Sequence, residues 1–288
     1  MNYAALIENR KSVRSFTDKR VPDYLLVDLE TYYYQKVKRL VPGIKTELLF
    51  FNDYSREALE GAAGYNSFLV GAPQYLVLLS EAHDLAHLNA GYIMQDLLLK
   101  AADMGLDSCW ITFTSSEDVK EAIGIRTDLE VVALAAFGFG IKTTKRLRLN
   151  IRSMSDIDIS AKRRYAEPKR SLYDLAFLKE WGSTHGLDDH IGFFDNVLWE
   201  ALHAASLSPS YLNRQAYGFL LEDNRVSLVR RPDAYTPRLD GQLSLGIALL
   251  HFSAVASQWA GALNWHFGPD AADVKLPEDH ELIASCVL

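Results

Sequence analysis

The chain has 288 residues, enough for two average domains or one large one. Its composition, 49% hydrophobic and 23% charged, leaves ample material for a core, and its net charge of -7 argues against a general nucleic-acid binder, which usually carries a basic excess. Its two cysteines, Cys109 and Cys286, lie far apart in apolar runs, which excludes a disulfide framework or a zinc set and fits a reducing compartment.

The N-terminus meets charge at Glu8 before any apolar stretch of signal length, so no secretory signal is evident and a cytoplasmic location is expected. Tyr3 to Arg10 reads as a short helix, and the polar segment Lys11 to Lys19 follows it. A helix is predicted from about Pro22 through Val37, a short strand at Leu48 to Asn52, and a helix from about Arg56. Gln74 to Ser80 is apolar along its length, as a strand buried on both faces would be. Ala86 to Met104 is a long helix with Gly105 at its stop. Ser115 opens another short helix, and Glu130 to Phe137 is a second buried strand. Lys142 to Arg170 shows no clear periodicity, but its ten basic residues against three acidic ones give a local charge of +7. Asp195 is positioned to cap a helix running to about Ser206. Tyr217 to Leu221 and Val226 to Val229 form a predicted hairpin, and Leu282 to Leu288 a terminal strand. The apolar stretch Leu243 to Leu263 has the length of a membrane span, but its serines, His251 and Gln258 favour a buried core helix.

A faint internal echo is visible. Gly91 and Gly246 each sit in a long apolar helix and are each followed nineteen positions later by a tryptophan, Trp110 and Trp265. It hints at two related halves joined near the basic segment.

Two constellations could carry chemistry. In Arg10-Lys11-Ser12-Val13-Arg14-Ser15-Phe16, an extended chain puts Arg10, Ser12 and Arg14 on one side, a grouping suited to a phosphate. On spacing alone a solvated basic stretch is the equal alternative. Ser208 to Gln215 places hydroxyls, two carboxamides and Arg214 between a helix and a strand, where paired donors and acceptors could meet a flat heterocycle or simply form a polar loop. Gly138-Phe139-Gly140 lacks the third glycine of a dinucleotide fingerprint, and His83 with His87 lacks a third metal ligand.

RKSVRSF, GAPQYLVLLSE, NAGYIMQDLLLKAADMGLDSCW and ALHAASLSPSYLNRQAYGF together resemble the FMN-dependent nitroreductase family, and most nearly its long single-chain branch. The resemblance implies an α+β fold, a three-layer α/β/α arrangement with a mainly antiparallel central sheet. It also implies a fused pseudo-dimer, with residues 1–170 and 171–288 as two halves of one flavin-binding unit. Arg10, Lys11, Ser12 and Arg14 would hold the FMN phosphate, helped by Lys169 or Arg170. Pro209, Ser210, Asn213 and Gln215 would shape or contact the ring and ribityl side, and backbone around Trp110, Ile111 and Thr112 would lie at the reactive edge. NADH or NADPH would reduce the flavin, and a nitroaromatic or quinone-type small molecule would reoxidise it; the alternative is a flavin-binding protein without nicotinamide turnover. No nucleic acid, membrane or metal is expected, and a fused pair needs no second chain, so a monomer would suffice. The chain departs from the family pattern at Ala216-Tyr217, where the family has Pro-Trp, and just after Cys109-Trp110, where Thr112 or Phe113 replaces a glycine of the family.

Overall fold

A computed structural model describes residues 1–52, 55–65, 69–141, 146–153, 156–162, 168–193 and 196–288. The chain opens with helices α1 (Tyr3–Asn9) and α2 (Asp23–Gln35), then strand β1 (Thr46–Asn52) and the short helix α3 (Ser55–Leu59). Strand β2 (Gln74–Ser80), helix α4 (Ala86–Asp103), strand β3 (Asp107–Ile111), helix α5 (Ser116–Ala122) and strand β4 (Glu130–Gly138) complete the first half's sheet, in the order β1-β2-β4-β3 and antiparallel throughout.

The all-apolar sequence of β2 follows from its place in that sheet. Leu76 and Leu78 pack with α4 on one face, while Tyr75, Val77 and Leu79 join a second cluster with Leu59 and Val119 on the other. The first sheet thus lies between α2/α4 and α3/α5, the three-layer arrangement expected. Helix α4 ends where Gly105 takes a left-handed φ of +81°, a conformation cheap only for glycine.

Two strands, β5 (Arg146–Ser153) and β6 (Asp156–Lys162), pair as an antiparallel hairpin where the sequence showed no clear periodicity. Helix α6 (Leu172–Leu175), strand β7 (Ala176–Leu178), helix α7 (Leu187–Phe193) and helix α8 (Val197–Ser206) follow. The cap expected at Asp195 lies outside the described residues; Asn196 precedes α8 with φ +63° and no side-chain capping bond. Strands β8 (Tyr217–Glu222) and β9 (Arg225–Arg230), helix α9 (Arg238–Ala260), and strands β10 (His266–Phe267) and β11 (Glu281–Val287) finish the chain.

The second sheet has the order β10-β11-β9-β8-β7, antiparallel except for the parallel β7–β8 pair. The strands are therefore divided between two principal sheets instead of forming one. Leaving out β7, both sheets have the same plan. Two neighbouring antiparallel strands lead into a long helix, a short edge strand follows, and the last strand inserts between that edge and the second strand.

Helix α9 is long and apolar enough to cross a membrane, but 78% of its most apolar window is buried, between α4 and α8. A helix covered on every side needs no polar face, which explains its uniform sequence.

Candidate functional site

The segment after α1 leaves the helix at Arg10 with extended angles, φ -65° and ψ 136°. Ser12 bridges Ser108 at the start of β3, Val13 N donates to Ser108 O at 2.9 Å, and Thr17 N donates to Phe139 O at 2.8 Å. These bonds lay the segment along the ends of β3 and β4. Alternation then sends Val13 into the apolar cluster and leaves Ser12 and Arg14 on the wall of a cavity. Lys11 is exposed and is not on that wall.

Arg10 lies behind the wall. Its guanidinium reaches Ser12 Oγ, Ser108 Oγ and Lys11 O, each at 3.4 Å, long for a charge-assisted bond. Burial pulls its pKa down to about 10, so it remains a cation at neutral pH. Among the described residues neither Arg10 nor Arg14 has a carboxylate partner. Both guanidiniums sit close enough to Cys109 to favour its thiolate, although burial outweighs them and pushes the thiol up. Ser12 and Arg14 on the wall, with Arg10 behind them, are groups that charge-assisted bonds to an anion would use.

The cavity has a volume of about 570 Å³, within the range of small-molecule sites. Beyond Ser12 and Arg14, the first half supplies Gly64, Tyr65, Val70, Cys109, Trp110, Ile111 and Thr112. The second half supplies Pro209, Ser210, Tyr211 and Leu212, together with Asp240, Leu243, Ser244 and Ile247 on one face of α9. Ser108 and Thr112 are four residues apart on an extended strand, so the cationic end and the Thr112 end are separated by roughly 13 Å. Between them the walls are mainly apolar, as a planar aromatic group requires.

The loop from Ser208 to Gln215 is held by its own side chains. Lys169 Nζ donates to Ser208 O and to Asn213 Oδ1, both at 2.8 Å, and Asn213 Nδ2 donates to Pro168 O at 2.8 Å. Gln215 accepts from Arg170 N at 3.1 Å, donates to Ser206 O at 2.8 Å, and its own N–H donates to Ser210 Oγ at 3.0 Å. Asn213 and Gln215 therefore do not line the cavity; they face the 168–170 strap and the end of α8. Lys169 and Arg170 likewise lie off the wall, Lys169 as a tether and Arg170 through its backbone N–H. Leu212, Asn213 and Gln215 all have left-handed φ, +46°, +57° and +47°, a conformation that surrounding bonds must impose on non-glycine residues.

A buried hydrogen-bond chain joins the two halves behind the cavity. Trp110 Nε1 donates to Gln95 Oε1 at 2.9 Å, and Gln95 Nε2 lies 2.9 Å from His251 Nε2. His251 Nδ1 is 3.1 Å from Ala204 O and from Ser208 Oγ. A carbonyl only accepts, so His251 carries its proton on Nδ1, and Nε2 accepts from Gln95. Burial pushes His251 down to about 3, helped by the nearby cations Arg10 and Lys169, so the ring is neutral in this role.

At the other end from the arginines, Thr112 Oγ1 donates to both carboxylate oxygens of Asp240, at 2.9 and 3.0 Å. Burial raises this carboxyl to about 6 against the opposing effect of the Thr112 bond. Asp240 carried no local signal in the sequence, because an acid in the first turn of a helix is ordinary dipole compensation. Leu243, Ser244 and Ile247 share its helical spacing, but that stripe also reads as core. Tyr65 and Val70 carried no local signal either.

Comparison with known proteins fits this arrangement. The protein-family model "Putative TM nitroreductase" matches residues 2–170, more than half of the chain. The crystal structure of a "putative nitroreductase" from Thermotoga maritima superposes with a TM-score of 0.59 at 18% identity, covering 100% of this chain and 94% of that one. A nitroreductase family protein from Clostridium novyi, at 20% identity and TM-score 0.43, covers 49% of this chain and 87% of its own. An FMN-dependent nitroreductase from Clostridium difficile, at 18% identity and TM-score 0.42, covers 48% and 87%. No protein of curated function matches. The first of these structures carries the fold, the family match covers the segment holding Arg10, Ser12, Arg14 and Trp110, and on that match the chain belongs to the TM nitroreductase family.

Proposed function

We propose that the chain binds one FMN in the cavity between its halves and acts as an NAD(P)H-dependent oxidoreductase, passing two electrons to nitroaromatic or quinone-type acceptors. The observation that carries this reading is the cationic end of the cavity, where Arg10 and Arg14 lack any carboxylate partner among the described residues and flank Ser12. A dianionic phosphate would accept charge-assisted bonds from both, and would offset the desolvation of Arg10. The apolar walls of Val70, Ile111, Leu243 and Ile247 suit the isoalloxazine ring. When bound, FMN supplies the reversible two-electron chemistry; the residues bind it, orient it and exclude water.

On this reading residues 1–170 and 171–288 are a fused pair. Support comes from the shared plan of the two sheets and from the cavity lining, which draws the cationic segment and β3 from one half and the 209–212 loop with α9 from the other. The cationic segment Arg10 to Phe16 has no counterpart in the second half of the sequence. One flavin per chain is therefore expected, with a monomer sufficient.

The test is an anaerobic stopped-flow mix of FMN-reconstituted protein with NADH or NADPH, followed at the oxidised-flavin band. Rapid bleaching that a quinone or nitroarene reverses, at one flavin per chain, is the expected result. A second reading, flavin binding without nicotinamide turnover, is favoured by Thr112, which lines the cavity where a side chain could narrow the nicotinamide face. Bound flavin that stays yellow with both donors selects it, and protein that takes up no flavin defeats both.

A further inference from the structure

Resting on the assignment of the cavity's cationic end to the FMN phosphate, we infer that Asp240, Thr112, Tyr65 and Tyr211 form a subsite for a cationic aromatic ring at the opposite end of the same cavity. Such a ring would be an N-alkylated pyridinium, the charge type of an oxidised nicotinamide, or a cationic acceptor.

The first observation is an unpaired carboxylate. Asp240 lines the cavity, is partly buried, and forms no ion pair with any described residue. An ionised carboxylate offers about four lone-pair sites, and Thr112 has one hydroxyl proton, which it shares between the two oxygens at 2.9 and 3.0 Å. Thr112 therefore fixes the rotamer of Asp240 without satisfying it. A carboxylate held this way against apolar walls gains from any cation that enters.

The second observation is aromatic. The rings of Tyr65 and Tyr211 meet edge to face, with centroids 6.3 Å apart, and both side chains line the cavity. Tyr211 lies within electrostatic reach of Asp240: burial, then the Asp240 charge and Tyr65, push its phenol up. An anionic group beside electron-rich ring faces is the combination that recognises a flat cation. The two observations come from different elements, α9 and the residue just past β3 for the carboxylate and its hydroxyl partner, and two loops for the rings.

The charge of the subsite depends on pH. Groups sharing the cavity with Asp240 are Arg14 of the N-terminal segment, Tyr65, Cys109 of β3 and Tyr211 of the 208–215 loop; Arg238 lies on its own helix. The cation among the lining residues, Arg14, follows Val13, which bonds Ser108 at the start of β3, and it makes no ion pair with Asp240. With the carboxyl at about 6, its ionised fraction rises roughly tenfold between pH 5 and pH 7, and affinity for a cationic ring rises with it.

The experiment compares two probes of similar size, the 1-methylnicotinamide cation and neutral nicotinamide. Each is titrated by calorimetry into FMN-loaded wild type and Asp240→Asn at pH 5 and pH 7, with flavin occupancy read separately from absorbance. The cation is expected to bind wild type roughly tenfold more tightly at pH 7 than at pH 5, and to lose that dependence in Asp240→Asn. The neutral probe is expected to be indifferent to both changes. Equal, pH-independent binding of the two probes to wild type would overturn the inference, as would a pH dependence that survives in Asp240→Asn. If no flavin is taken up, the assignment to FMN fails visibly, and the same titration on flavin-free protein still decides whether Asp240 selects the cation.

Discussion

Gly91 and Gly246 occupy reciprocal positions where α4 crosses α9. A Cβ on Gly91 would overlap the carbonyl oxygen of Leu243, and one on Gly246 would overlap that of Leu88. Each glycine meets the residue three positions before its counterpart, as a two-fold axis between the helices requires. The helices approach until backbone touches backbone, and this contact holds the two halves, and therefore the two sides of the cavity, at a fixed distance.

Alanine at either glycine must push the helices apart, because a carbonyl on a helix cannot step aside as a flexible side chain can. Gly91→Ala and Gly246→Ala are each expected to lower stability by about 1–3 kcal/mol, the cost of overpacking a core contact, and to weaken flavin binding by widening the site. Gly43→Ala is the control, since a Cβ there meets nothing within 4 Å and the φ is not left-handed. Urea midpoints of the three variants check this; a neutral Gly91→Ala would mean that the helix contact is soft.

The cationic end allows a graded test. Arg10→Ala and Arg14→Ala are expected to raise the Kd for FMN by on the order of ten- to a hundredfold, the loss of a charge-assisted bond. Lys11→Ala is expected to change it by less than about threefold, since Lys11 lies off the cavity wall that Arg14 lines and leaves only screened attraction. Quenching of flavin fluorescence measures all three. Equal effects at positions 11 and 14 would mean that net charge, not the wall geometry, governs binding.

Asn213 separates a loop tether from a direct contact. Its side chain ties the loop to Lys169 and Pro168 while its backbone is left-handed. Asn213→Ala loses the bonds and adds backbone strain, whereas Asn213→Gly loses the bonds alone. Asn213→Ala is expected to cost about 2–4 kcal/mol of stability and Asn213→Gly roughly 1–2 kcal/mol less than that, with lower flavin occupancy in both. Thermal unfolding and flavin content read out the pair; full flavin occupancy in Asn213→Gly would show that the strap does not position the cavity wall.

Much of this was legible in the sequence, and what was not has physical causes. Strand β2 announced itself because burial on both faces forces an almost uninterrupted apolar run, and helix α4 because a long, largely apolar segment stops at Gly105. The Gly91–Gly246 echo was legible because close helix approach admits only glycine. The β5–β6 hairpin was not, although Arg146 to Arg152 alternates Arg or Asn with Leu and Ile, because its charge reads first as loop. The roles of Asn213 and Gln215 were hidden for another reason: a carboxamide that bonds a backbone strap and one that bonds a ligand have the same sequence. Asp240 was invisible because its importance comes from Thr112, 128 positions away, and from the cavity that both face.

Two buried groups in or behind the cavity give the stability of the protein opposing pH dependences. His251 is held at about 3 against an ordinary value of 6.5, so the unfolded chain binds the extra proton. Its contribution is complete above pH 6.5 and is lost as pH falls toward 3, by up to about 1.4 kcal/mol per pH unit. Asp240 is held at about 6 against 3.8, so the folded chain binds the extra proton; its contribution is present below pH 4 and lost as pH rises to 6. Partial exposure to the cavity reduces that second effect. Asp240→Asn is therefore expected to be more stable than wild type at pH 7, with the gap closing by pH 4. His251→Gln is expected to be less stable at pH 7, because Gln95 and the Ala204 carbonyl lose a rigid partner, and to show a shallower decline toward pH 4. Urea unfolding at pH 4, 5.5 and 7 gives both differences. A wild-type decline that His251→Gln leaves unchanged would assign the acid sensitivity to other groups and leave the Trp110–Gln95–His251 chain with a purely geometric role.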